Sequence, residues 1–164
     1  MLKIIGAVMT AVSISGFFAS AAAKLKKTER RQYAMLCSAR YISESIRYEH
    51  LELFSIYSAL RGREEDAVLS VFGRLSELKN NYGRGEIEKI LTNSPLSTEE
   101  AEIFAEFLSG LGQTDIEGQL SRCENYKRIF LERHKKAENE YREKRSLYLK
   151  LGAYSALAAF VFLV

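Results

Sequence analysis

The chain has 164 residues, 47% of them hydrophobic and 27% charged, with one proline, no tryptophan and two cysteines. That length supports one modest core, not two, and two cysteines without a CxxC spacing exclude a disulfide framework and favour a reducing compartment. The net charge of +3 conceals a segregation, because all 21 acidic residues and all but one of the 24 basic residues lie between Lys24 and Lys150, so the two ends are a different material from the middle.

Ile4 to Ala23 carries no charge and is bounded by Lys3 on one side and by Lys24, Lys26, Lys27, Arg30 and Arg31 on the other. A run of that length spans a bilayer. Its alternative is a cleaved signal peptide, with Lys3 as a small basic start and Ala19-Ser20-Ala21 or Ala21-Ala22-Ala23 as the cleavage site. The crowd of basic residues just past the run resists translocation and favours an uncleaved anchor. Within the run Ala7, Ala11, Ser15 and Ala19 recur every fourth residue, a small-residue groove of the kind that lets helices approach closely in lipid. It serves either a second span of the same chain or a partner's membrane helix.

Thr28 to Arg61 reads as one long helix with Leu36, Ala39, Ile42, Ile46, Leu53, Ile56, Tyr57 and Leu60 on a single face, stopped by Gly62. A second helix is expected from Glu64 to Lys79, opened by Glu64, Glu65 and Asp66, with Val68, Leu69, Phe72, Leu75 and Leu78 inward. Asn80 to Gly83 is a break, Glu86 to Leu91 a short helix, and Asn93-Ser94-Pro95 its end. Ser97 with Glu100 forms a capping box for a helix to Leu111, with Ala101, Phe104, Phe107 and Leu108 inward. Gly110 to Gln113 is a tight connection.

Asp115 to Val164 has no proline and keeps helical spacing throughout, so one very long helix is expected. After Lys150 the charges stop, and residues 151–164 read as a second span. Fourteen residues rise only about 21 Å, but Leu147 to Leu149 lengthen the run and Lys150 can snorkel. The basic flanks of both spans face the intervening residues, so the positive-inside rule puts residues 24–150 in the cytoplasm. If residues 27 and 150 both lie at the membrane surface, positions whose numbers sum to about 177 are level, which sets Cys37 near Glu140 and Cys123 near Phe54, about 25 Å apart along straight helices. A disulfide is excluded at that separation.

The membrane end is basic and residues 64–117 are acidic, with twelve carboxylates against four cations. The base suits anionic lipid headgroups, at about 1 kcal/mol per basic residue near the surface. The acidic cap repels nucleic acid and attracts a basic cytoplasmic partner, and Glu99, Glu100, Glu102 and Glu106 are its expected contact residues. No phosphate loop, dinucleotide fingerprint or HExxH is present, His50 and His134 have no nucleophile arranged beside them, and consecutive carboxylates point to different sides of a helix. Neither an enzyme, a cofactor nor a metal site is expected.

Four passages carry a family resemblance: MLKIIGAV at the start, SESIRYEH at Ser43 to His50, LGQTDIEGQ at Leu111 to Gln119, and AENEYREKRSLYLKLG at Ala137 to Gly152. With its motif Leu111, Gly112, Asp115, Glu117 and Gln119, the chain resembles the stage III sporulation protein AB family over nearly its whole length. The resemblance implies an all-α, antiparallel helical bundle similar to the cytoplasmic domains of the type II secretion platform protein, flanked by N- and C-terminal transmembrane helices: residues 1–23, 24–150 and 151–164. It further implies a two-pass protein of the mother-cell membrane around the forespore, with a cytoplasmic secretion-type ATPase and other membrane channel subunits as partners. The family usually has a Thr-Pro-Leu turn, which implies a kink after the first helix; this chain has Leu51-Glu52-Leu53 there, without the proline that would support it.

Overall fold

A computed structural model of the chain describes residues 2–49, 51–61, 68, 70–78 and 83–163, with the backbone alone for residues 2–5, 7, 11, 159, 160, 162 and 163. The described residues form six α-helices and no strand: α1 (Leu2–Glu44), α2 (Leu53–Arg61), α3 (Ser70–Glu77), α4 (Arg84–Thr92), α5 (Thr98–Ser109) and α6 (Ile116–Leu163), with a π turn at Ser45–Glu49. The chain divides into two compact units, one of Met1–Glu29 with Lys135–Val164 and one of Arg30–His134.

The unit of Arg30–His134 holds the core. Its centre is a continuous set of aromatic contacts, from Tyr57 to Phe72 (5.5 Å between ring centroids), Phe72 to Phe104 (5.9 Å), and Phe104 and Phe107 to Phe130 (5.9 and 5.7 Å). Edge-on and tilted pairs of this kind add to the stabilisation from burial alone. α1 contributes Met35, Leu36, Ala39 and Ile42, all essentially inaccessible. The inward faces expected for the helices at 28–61 and 97–111 are buried with one exception, Leu53, which is partly so. Leu69, the acidic opening at Glu64 to Asp66 and the Asn80–Tyr82 part of the break lie outside the described residues.

The single helix expected over Thr28–Arg61 is interrupted. α1 loosens into the π turn, Leu51 and Glu52 are not helical, and α2 starts afresh with the Ile56 N–H donating to the Glu52 carbonyl at 3.2 Å. The helix is therefore interrupted here without a proline. The apolar spacing Ile42, Ile46, Ile56, Leu60 keeps one face inward on both sides, so periodicity does not reveal the break. Its consequence is that α2 acquires a partner of its own and packs on α3, while α4 packs on α5.

Within this unit α1 and α6 run in opposite directions: Tyr33 lies against His134 (5.2 Å) and Arg47 reaches Glu124. Levelling residues 27 and 150 would instead have set Tyr33 beside Lys144 and Arg47 beside Phe130. The assumed level is at fault, since in the other unit Lys26 lies over the ring of Tyr141. Cys37 thus falls nearer the height of His134 than that of Glu140. Both cysteines are free.

Candidate functional site

In the unit of Met1–Glu29 and Lys135–Val164, α1 is, among the described residues, the one helix long and apolar enough to cross a membrane, and only 6% of its most apolar stretch is buried. A core helix of that composition would be covered. Val8, Met9, Val12 and Phe17 are exposed on α1, and Leu147, Leu149, Tyr154 and Leu157 on α6. The second span expected at 151–164 lies partly outside the described residues, which there lack Val164 and the side chains of residues 159, 160, 162 and 163.

α1 meets α6 in this unit through Phe18, whose ring lies 6.3 Å from that of Tyr148, and through buried Ala22. Gly152 sits under Phe18 so closely that a Cβ there would come within 3.2 Å of the Phe18 Cβ. Tyr141 receives two cations, Lys26 Nζ at 5.0 Å and the Arg145 guanidinium at 5.7 Å, a favourable arrangement over an aromatic face. Of the small-residue groove, Ser15 and Ala19 are exposed, a Cβ on neighbouring Gly16 would meet nothing, and the side chains of Ala7 and Ala11 lie outside the described residues. The described members of that groove do not pack α6.

The acidic helix α5 begins as expected, with the Ser97 hydroxyl accepting from the Glu100 N–H at 3.3 Å and the Ser97 N–H donating to the Glu100 carboxylate at 2.8 Å. Glu100 is nevertheless not a surface contact residue. Its side chain is 5% exposed and takes the Arg31 guanidinium at 3.0 Å and the Gln32 amide at 2.8 Å. A buried carboxylate is tolerated only when paired in this way. Glu99, Glu102 and Glu106 are exposed; Glu99 pairs with Arg133, and Glu106 accepts from the Tyr126 phenol. Glu102 and Glu106 line a groove between α4 and α5 whose floor includes Leu96, Ala101 and Ile103. At the other end of α5, Arg122 reaches from α6 to the carbonyls of Phe107 and Glu106, supplying the cation that the last turn of α5 lacks.

The motif at Leu111–Gln119 is a self-braced turn. Leu111 is buried, and Gly112 has φ +76°, a conformation that favours glycine, with the Leu53 side chain where a Cβ would be. The Gly112 N–H donates to the Gln119 side-chain oxygen (3.1 Å), whose amide donates back to the Thr114 carbonyl (3.0 Å). Asp115 caps α6 by accepting from the Gly118 N–H at 2.9 Å. Four of the five motif residues thus have a structural task. Glu117 is exposed, and no ion pair holds it among the described residues. The signal that could have disclosed the cap is an aspartate directly ahead of an uninterrupted helical stretch; the Gln119 brace has no such local signal.

Cys123 is buried, and burial pushes its thiol up to about 11. Among the described residues no group of three or more His, Cys, Asp or Glu is placed to hold a metal, and His50 lies outside them.

Helices without a strand among the described residues, one of them fit to cross a membrane, define an all-helical protein with a membrane-competent N-terminal segment. Residues 3–164 match the stage III sporulation protein AB family, and the chain belongs to it. That membership ties it to sporulation. No curated protein and no solved structure matches the chain.

Proposed function

We propose that the chain is a non-enzymatic membrane platform of the sporulation apparatus: a cytoplasmic, antiparallel helical bundle held at both ends by membrane spans, coupling a secretion-type ATPase to a channel between mother cell and forespore. The observation that carries this reading is the unit of Met1–Glu29 and Lys135–Val164, where large apolar side chains are exposed on both helices. In water such a surface is a liability; in lipid it is the expected exterior. Lys24, Lys27, Arg142, Lys144, Arg145 and Lys150, all exposed, follow the first apolar run and precede the second, which suits anionic headgroups on the cytoplasmic side.

Glu99, Glu102 and Glu106 form the ATPase-facing surface, and its partner presents basic residues. The full-length chain in detergent is the bait for the ATPase encoded alongside it. Replacing the three glutamates together by lysine is expected to reduce ATPase retention at least tenfold, while a normally folded triple variant that retains it fully removes the surface from the account.

A further inference from the structure

We infer that the cleft between the α1–α2 break and the α5–α6 turn is a second docking site, which takes a basic amphipathic segment of a different polypeptide. It goes beyond the acidic surface of α5 and shares no residue with it.

The cleft is lined by Leu51, Leu53 and Phe54 on one side and by Leu111, Gly112 and Gln119 on the other. Leu51 and Phe54 are 39% and 38% exposed, and Ile116, at the start of α6 just past the turn, is 49% exposed. Two large aliphatic and aromatic side chains left open side by side at the mouth of a cleft mark a surface made to be covered. The far wall is preformed, because the hydrogen bonds of Gly112, Asp115 and Gln119 are made within the turn, so a guest meets it without ordering it first.

Charge selects the guest. Glu52 lines the cleft, Asp115 ends the turn that closes it, Glu117 stands exposed in the first turn of α6 that follows, and among the described lining residues there is no lysine or arginine. A second copy presenting the same face would set three carboxylates against three, and an anionic lipid headgroup meets the same repulsion. An amphipathic helix with lysine or arginine beside apolar residues at i and i+4 answers both features: its apolar stripe covers Leu51 and Phe54, and its cations face Glu52 and Glu117.

The test uses the full-length chain in neutral detergent with Phe54→p-benzoylphenylalanine, illuminated with a biotinylated helical peptide of leucines at i, i+4 and i+7 and lysines elsewhere. Its twin with glutamates in place of the lysines is the control. The lysine peptide is expected to cross-link at position 54 and the glutamate twin at least tenfold less. Glu52→Lys with Glu117→Lys, both at exposed positions, should lower the yield at least tenfold, as should Leu51→Ser alone. Glu102→Lys with Glu106→Lys should change it less than twofold, so this result is read separately from ATPase retention on α5. Equal labelling of both peptides, insensitivity to the Glu52 and Glu117 changes, or a cross-linked homodimer as the main product would overturn the inference.

Discussion

The Arg31 guanidinium donates to the Glu100 carboxylate at 3.0 Å across sixty-nine residues of sequence. The same carboxylate accepts from the Gln32 amide and from the Ser97 N–H, so one buried group fastens the start of α5 to α1 while also capping α5.

Removing that group takes this carboxylate from the half-buried Arg31 guanidinium and from the buried Gln32 amide. Glu100→Ala is expected to cost about 3–5 kcal/mol, the usual penalty for breaking one side of a buried pair. Glu99→Ala, whose carboxylate is 71% exposed, is expected to cost less than about 1 kcal/mol. Chemical unfolding followed by circular dichroism in detergent measures both. Equal losses would mean that the Glu100 contacts contribute no more than a surface pair.

Gly112→Ala should cost about 1–2 kcal/mol from its positive φ alone, with a further penalty from the Leu53 side chain at 2.9 Å from the new Cβ. Gly16→Ala has open space around it and is expected to leave thermal stability within the error of the melt. Gln119→Ala should reproduce part of the Gly112 loss by opening the brace of the turn.

The two cysteines should separate by reactivity. With its thiol pushed up to about 11, Cys123 at pH 8 is thiolate in about one molecule in a thousand, and it is buried as well. A native sample treated with a thiol reagent is expected to modify half-buried Cys37 alone, and a denatured one to modify both. The same shift has a consequence for stability. An unfolded chain loses the Cys123 proton near the ordinary value of 9.0, the folded chain only near 11, so stability falls as pH rises through that window. Tyr126, also raised by burial and then by Glu106, acts in the same direction. An alkaline melt with no loss between pH 9 and 11 would contradict the burial of Cys123.

What the sequence could disclose was what is local. The capping box at Ser97 and Glu100, the continuity of α6 and the inward faces of α1 and α5 follow from spacing within a few residues, and they stand as read. The break at Leu51 and Glu52 was not legible, because no proline or glycine marks it and the apolar spacing continues through it. Glu100 was misread for a related reason: beside Glu99 it looks like a second exposed N-terminal carboxylate, and only Arg31 and Gln32, far away in sequence, show that it is inside. The level of α1 against α6 depended on where each helix meets the membrane, which no local pattern fixes. In the motif, Gly110 and Gly112 announced a tight connection, but the cap at Asp115 and the double role of Gln119 required the turn's own geometry.

The claim on which the rest depends is that the apolar helix α1 is kept and holds the chain in a membrane. Alkaline carbonate extraction of membranes from sporulating cells, followed by intact-mass measurement, tests it directly. The account predicts that the protein stays in the pellet at its full 18.6 kDa. Recovery in the supernatant at a mass short of the first apolar run would contradict it.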